Sequence, residues 1–433
     1  MTVTPEIKGY CPGARHPMAS GDGLLVRAKI IGSALSSEQA REIADIASSC
    51  GNGLIDLSQR AQLQLRGLSE ATLDEALRRL DAIGLLAPDA ATESVLNILA
   101  SPLAGLDAAT FDANELARRL ARAIADDPTL RALPGKFLFL LDDASALGLA
   151  DAAADIRLEA FGKRIAIVLD GARDRAVIVE AEAAIDTALA LARAFIALRE
   201  GDHFELRRMR LLVAARGADI LLREAGFEAA PYRSPPRAAR DIEFLGARAV
   251  GDIWFAGVGA PLGRWRASDL AALADMTARN GWSELRLTPW RAILALAPSQ
   301  AHARRVLEAA ARLGLIVAAS DPRLAVAACP GAPECPQAKG VTRAHLDRLA
   351  PLAQRLAGEG ARLHVSGCAK GCAKPGATEV TLVATGSGFD LFDHGRASNA
   401  PTATGLSLEQ VERALAARAV VTHDKMEVAC PAH

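Results

Sequence analysis

The order strand, helix, strand, strand, helix occurs twice in this chain of 433 residues, and a duplication of that size restricts the fold more than any other feature. In the first copy, LLVRAKII at residues 24–31 reads as a strand. Ser36 and Gln39 then offer a capping box for a helix reaching about Ser49. Gly51-Asn52-Gly53 stops it, strand-like runs follow at 54–58 and 62–65, and a second helix covers about 71–83. Its Leu73, Ala76, Leu77 and Leu80 form one apolar stripe. The second copy begins at Gly251 with GDIWFAGVG, followed by a helix over 268–279, a stop at Gly281, LRLTPWRAILALA, and a helix to Leu313. Ile43-Ala44-Asp45 matches Leu273-Ala274-Asp275, Arg60-Ala61 matches Arg291-Ala292, and Ile83-Gly84-Leu85-Leu86 resembles Leu313-Gly314-Leu315-Ile316. A period this long is no solenoid. It reads as duplication of half a protein, the two modules packing about a pseudo-two-fold axis. Accidental likeness of two αβ sandwiches is the alternative, and the matched glycine stops and Arg-Ala pairs count against it.

Between the copies, FLFLLDD at 137–143 reads as a buried strand, IAIVLDGA and RAVIVEA as a hairpin, and 185–198 as a helix. Arg207, Arg208, Arg210, Arg216 and Arg223 crowd the next segment. A solvated helix face is the simpler reading of that cluster, and a carboxylate-rich ligand is its rival. PYRSPPRAAR at 231–240 breaks any helix and reads as the linker between halves.

Half of the chain is apolar, so core volume is not limiting, and a formal charge of −1 gives no basic field for nucleic acid. No apolar run reaches the ~18 residues of a spanning helix, and residues 1–12 lack the order of a signal peptide. The chain reads as cytoplasmic, with neither nucleic acid nor membrane as a partner. In reducing cytosol, clustered cysteines more often mean metal or catalysis than disulfides. Cys50 reads as a small buried residue, and Cys11 and Cys430 as structural or incidental.

The other four cysteines are clustered. CPGAPEC places Cys329 and Cys335 in a Pro/Gly-rich loop, and SGCAKGC places Cys368 and Cys372 at i, i+4, on one face if the segment is helical. A strand at 362–366 delivers Cys368, EVTLVATGSGFDLFDHG looks like a hairpin, and a last helix covers about 408–417. Structural zinc knuckles usually have two to four residues between ligands. Here the loop pair has five and the second pair three, a wider embrace that suits an iron–sulfur cubane. Gly331, Gly367 and Gly371 let backbone approach bulky sulfide corners. The spacing favours a cluster, zinc stays open, and a non-catalytic cluster or zinc protein would use the same thiols.

C-x5-C followed by SGC-x3-C resembles the cluster signature of the sirohaem-dependent sulfite and nitrite reductases. That resemblance implies an α/β (α+β), internally duplicated fold of two ferredoxin-like half-modules and two larger αβ domains around a pseudo-two-fold axis. Residues 15–86 would be the first half-module and 91–215 the first αβ domain, without cluster ligands. After the linker at 231–240, residues 241–316 would be the second half-module and 318–421 the cluster domain. DLSQRAQLQLRGL looks like the family's first-repeat strand pair, where Arg60 matches an arginine facing the macrocycle and its anion. SPLAGLD at 101–107 and LPGKF at 133–137 also match. Two positions depart from the reductases: Leu96 stands where they carry an arginine before Asn97, and Leu138 where they carry a second lysine two residues beyond Lys136. Leucine supplies neither charge nor protons, so oxyanion reduction is disfavoured. CPGARHPMASGDGLLVR and ADIRL at 154–158 look instead like the precorrin-3B synthases, the aerobic cobalamin branch of the same superfamily.

This resemblance implies a monooxygenase that hydroxylates precorrin-3A at C20 with γ-lactone formation, using dioxygen and electrons ultimately from NADH. The implied cofactors are a 4Fe–4S cluster on Cys329, Cys335, Cys368 and Cys372 and a mononuclear non-haem iron, with sirohaem in the alternative reductase reading. Arg27, Lys29, Arg60, Lys136 and Arg291 are candidates to meet substrate carboxylates as charge-assisted pairs. Lys370, like Lys374, either binds substrate or offsets cluster charge. No catalytic residue is assigned. No two-His-one-carboxylate pattern stands out among the eight histidines, and His364 reads as a satisfied strand histidine. No G-x-G-x-x-G follows a strand, so NADH is expected to bind a separate reductase.

Overall fold

The computed structural model describes residues 11–106, 111–199, 201, 203, 205–233 and 244–428, of which 420–428 are described by backbone alone. Two compact units emerge, one of residues 11–18 and 24–317, the other of 19–23 and 318 onward. The architecture is mixed α/β with four sheets. No helix among the described residues is long and apolar enough to cross a membrane.

Both copies of the repeat lie in the first unit. The capping box forms as read: Gln39 N–H donates to Ser36 Oγ at 3.0 Å, and Ser36 N–H to Gln39 Oε1 at 3.0 Å. It starts the helix Ser37–Ser49, which the buried Cys50 ends. The helix Glu70–Ala82 completes the first copy, and Ala267–Arg279 and Gln300–Arg312 are their counterparts. In the first sheet the strands Gly23–Ala28, Leu63–Leu68 and Leu54–Leu57 are neighbours; in the second, Gly246–Val250, Ile253–Gly259, Ala292–Ala297 and Glu284–Leu287 are.

Each sheet is then extended by a strand of the other copy. Arg264–Arg266 pairs antiparallel with Leu54–Leu57, setting Trp265 opposite Ile55. Ala34–Ser36 pairs with Glu284–Leu287, setting Leu35 opposite Leu285. The junctions mirror each other: Ser37 N–H donates to the Ser283 carbonyl at 2.7 Å, and Ala267 N–H to the Gly53 carbonyl at 2.9 Å. Equivalent positions are therefore 230 residues apart (37 and 267, 53 and 283). That offset corrects one pairing read from sequence. Leu57 opposite Leu63 corresponds to Leu287 opposite Ile293, so Arg60 corresponds to Trp290, and Ala61 to Arg291. Ala61 and Arg291 are the left-handed residues of the two turns, with φ of 53° and 64°. Likeness of letters had displaced the alignment by one residue.

Asp56 secures the first exchange. It accepts from Arg264 Nε at 2.9 Å and Nη2 at 3.1 Å, and from Arg66 Nη1 at 3.3 Å. Arg66 is nearly sealed from solvent, which makes its counter-charge matter more than an exposed pair would.

The third sheet, in the same unit, runs Ala230–Pro231, Ala172–Val179, Arg164–Leu169, Ile156–Phe161, Phe139–Asp142, Ile98–Ala100. Its last three strands are parallel, and the hairpin read from sequence forms between Arg164–Leu169 and Ala172–Val179. The helices Ala113–Asp126 and Ala184–Leu198 bury apolar residues in the core it shares. Of the stretch read as a linker, residues 234–240 lie outside the described residues, as do Asp107 and Cys430. Its described start is docked: Tyr232 is buried and donates from Oη to Glu159 Oε2 at 2.9 Å.

The second unit holds the fourth sheet, in the order Val326–Ala328, Leu363–Ser366, Val380–Ala384, Phe389–Asp393, Ala403–Leu406. Its first three strands are parallel, and the hairpin 379–395 forms as expected.

Replacing Asp56 by alanine leaves Arg66 buried without its carboxylate. A loss of about 3–5 kcal/mol is expected in urea unfolding. A loss below 1 kcal/mol would show that the exchanged strand does not depend on this clamp.

Candidate functional site

The parallel strands of the fourth sheet set the four cysteines. Val326–Ala328 ends immediately before Cys329, and Leu363–Ser366 ends two residues before Cys368. Main-chain bonds pin the two cysteine loops together: Cys329 N–H donates to the Val365 carbonyl at 3.3 Å, and Lys339 N–H to the Gly367 carbonyl at 2.8 Å. Gly367 N–H in turn donates to Cys329 Sγ at 3.1 Å. Main-chain N–H bonds of this kind are the ones that metal-ligating cysteine sulfurs accept. The glycines are required by the closeness of these loops. A Cβ on Gly367 would stand 2.6 Å from the Ala338 Cβ, and one on Gly331, at φ 75°, 2.5 Å from Thr342 Oγ1.

The segment from Cys368 to Cys372 is a run of turns, which corrects the helical reading. Gly371 takes φ 62° and breaks any helix there. Lys370 and Lys374 therefore do not share a helical face. Cys372 is exposed at the surface, yet partial desolvation of its sulfur pushes the thiol up; the Lys370 ammonium works against that shift, while charge on Cys329, Cys368 and Cys335 adds to it. The four thiols thus share one electrostatic neighbourhood, and four thiolates there require a cationic group among them. Lys370 is exposed and acts here on the charge of the cysteines. Among the described residues, no three His, Cys, Asp or Glu side chains form a set closed enough for a single ion. The donor chemistry fits a cluster: four sulfurs, one already taking an N–H bond, in loops that only glycine allows to meet. The ligands of a mononuclear iron are not among these.

His364 departs from its expected role. It is fully buried, and neither ring nitrogen has a hydrogen-bond partner. Burial, with the Lys374 charge adding to it, lowers its pKa to about 4, so the ring is neutral.

The larger unit holds a cluster of buried and half-buried cations. Arg27 and Lys29 alternate onto one face at the end of their strand, and both are buried. Lys29 Nζ donates to Asn97 Oδ1 at 2.9 Å and to the Leu96 carbonyl at 3.2 Å. Burial lowers its pKa to about 8; Arg27 and Arg60 add to that shift, while Glu93 and Cys11 oppose it. Burial likewise lowers Arg27 and Arg60. Arg60 Nη2 donates to the Lys136 carbonyl at 3.4 Å, while its Nη1 is enclosed without a partner. Lys136 itself is exposed and meets Arg60 through its main chain. Arg291 lies in the other module's turn, where its Nη1 donates to the Leu262 carbonyl at 3.3 Å.

Sequence reasoning missed two supports of this cluster. Glu93, buried, accepts from Ala14 N–H at 2.8 Å and Arg15 N–H at 3.0 Å, fixing the CPGAR segment. That fixed segment sets Cys11 beside Arg27. Asp155, also buried, accepts from Leu138 N–H at 2.9 Å and from Arg208 Nε at 2.9 Å. Arg208 is therefore engaged with the fold and is no part of a solvated face. Leu96 and Leu138 are both buried.

Residues 16–83 match the model of the nitrite/sulfite reductase ferredoxin-like half domain. Over 410 residues the chain is 32% identical to a precorrin-3B synthase of Sinorhizobium sp, covering 93% of this chain and 86% of that protein. It is 25% identical over 384 residues to sulfite reductase (ferredoxin) 1 of Mycolicibacterium paratuberculosis, covering 81% and 68% respectively. Among solved structures, the Mycobacterium tuberculosis NirA protein superposes with a TM-score of 0.69 at 20% identity, covering 86% of this chain and 74% of that one. At that identity the superposition shows a shared fold.

Gly367→Ala tests the cysteine loops. The added methyl group should force them apart and reduce bound iron at least several-fold, with far-ultraviolet circular dichroism unchanged. Full iron content in that variant would contradict the arrangement.

Proposed function

The chain belongs to the precorrin-3B synthase family, within the nitrite/sulfite reductases, and on that premise we propose that it hydroxylates precorrin-3A at C20 with γ-lactone formation. The observation that carries this reading is the cluster of desolvated cations at Arg27, Lys29 and Arg60. Arg27 and Lys29 are buried and Arg60 half-buried, while Leu96 and Leu138, at the positions where the reductases carry cations, are packed into hydrophobic core. A polycarboxylated macrocycle needs fixed cations for its carboxylates and apolar surface for its ring. Sulfite or nitrite reduction needs added charge and protons at the two leucine positions, which is why the sirohaem-dependent reductase is the weaker reading.

We read the two modules as halves of a duplicated frame about a pseudo-two-fold axis. Cys329, Cys335, Cys368 and Cys372 would hold a 4Fe–4S cluster, which would supply electrons one at a time, and a mononuclear non-haem iron would supply the one-electron partner that dioxygen requires. The chain's own part is binding and orientation. Asn97 and the Leu96 carbonyl hold the Lys29 ammonium in place, and Arg60 Nη1 has no protein partner to satisfy it. Burial keeps these cations from full hydration, so a carboxylate displaces little water in pairing with them. Reducing equivalents from NADH enter through a separate reductase, which fits the absence of a dinucleotide fingerprint in the sequence.

Incubation with precorrin-3A, reductant and ¹⁸O₂ should give a product carrying one ¹⁸O atom, and none should form without oxygen. An unlabelled product, or product formed anaerobically, would refute the proposal. The pH profile tests Lys29. Its ammonium is present below about pH 8 and lost above it, so kcat/KM should fall as pH rises through about 8. Lys29→Met should remove that limb and lower kcat/KM at neutral pH about tenfold or more; a limb that persists in the variant would assign it to another group.

A further inference from the structure

His364 has hydrogen-bonding capacity that the surrounding protein does not use. A neutral imidazole carries one donor and one acceptor nitrogen, and both are buried here without a partner. The polar groups around it are committed elsewhere. Thr381, opposite it across the parallel ladder, meets Thr378 Oγ1 at 2.6 Å and donates to the Gly395 carbonyl at 2.8 Å. Ser366, two residues on along the same strand face, donates to the Cys368 carbonyl at 2.7 Å. Lys374 Nζ donates to the Ala361 carbonyl at 3.0 Å. What lies against the ring is Gly371, between Cys368 and Cys372: a Cβ there would stand 3.5 Å from His364 Cε1. The cysteine loop thus lies against a ring whose partner the chain does not supply.

We propose that His364 is a positioning residue for the iron–sulfur group, donating a ring N–H to the sulfur of that group or of its cysteine ligands. This rests on the reading that the four thiols hold such a group. An N–H bond to sulfur stabilises the more negative, reduced state, so His364 raises the reduction potential.

The test uses the full chain, purified anaerobically, with iron and acid-labile sulfide measured on every sample. After ¹⁵N-histidine labelling, the reduced protein should show a histidine nitrogen coupling by pulsed electron paramagnetic resonance, and His364→Gln should abolish it. His364→Leu should disfavour reduction about tenfold, about 59 mV for one electron, and His364→Gln, which keeps an N–H donor, should recover part of that shift. Wild-type protein with iron and sulfide but no histidine coupling overturns the inference, and so does an unshifted potential in His364→Leu. If the variants hold no cluster, the wild-type coupling decides. Wild-type protein holding neither iron nor sulfide refutes the reading of the thiols, and this inference falls with it.

Discussion

Neither copy of the repeat completes its own sheet, because the short strand before each copy's first helix is paired in the sheet of the other. An unmatched strand edge leaves a row of backbone N–H and C=O groups without partners, so one half-module folded alone would expose the edge that its twin covers. Trp265 shows how fully the exchange is built into the core: it is carried in on the donated strand and has no solvent exposure. The Asp56 clamp adds charge-assisted bonds across the same seam. Arg27, Lys29 and the Arg60 turn all stand on the sheet that this exchange completes, so the cation cluster inherits its rigidity.

That rigidity suits the chemistry of the cation cluster. Burial alone works against each of these cations, and each remains in place through specific partners: Asn97 for Lys29, the Lys136 carbonyl for Arg60, Cys11 for Arg27. A cluster of buried like charges stores electrostatic free energy that an incoming anion releases. Leu96 and Leu138, packed into hydrophobic core, add no charge. On the proposed function, these cations would meet the carboxylates of a large substrate in place of a small oxyanion.

Much of this was legible in the sequence, for definite reasons. Period and stop signals located the helices of the repeat to within a residue or two, as with 71–83 against Glu70–Ala82, but the last helix, expected over 408–417, runs Leu408–Val428, and Ala113–Asp126 was not read at all. The capping box at Ser36 depends on residues three apart and was readable without tertiary knowledge. Three features were not readable. The exchange of strands is a long-range pairing with no local mark. The 368–372 segment has helical spacing, but Gly371 in a left-handed conformation turns it. Arg208 sits among surface-like arginines and is distinguished only by Asp155, a partner 53 residues away. His364 shows the same limit, since a strand pattern reports burial and says nothing of hydrogen-bond partners.

The central claim is that this reductase frame has given up its bound macrocycle cofactor to take a macrocycle as substrate. The direct measurement is the absorption spectrum of protein purified anaerobically from a host that makes sirohaem, with metal and sulfide analysis of the same sample. The account predicts iron and acid-labile sulfide with the broad absorption of a cluster and no intense macrocycle band. A stoichiometric sirohaem band, or zinc without sulfide, would contradict it.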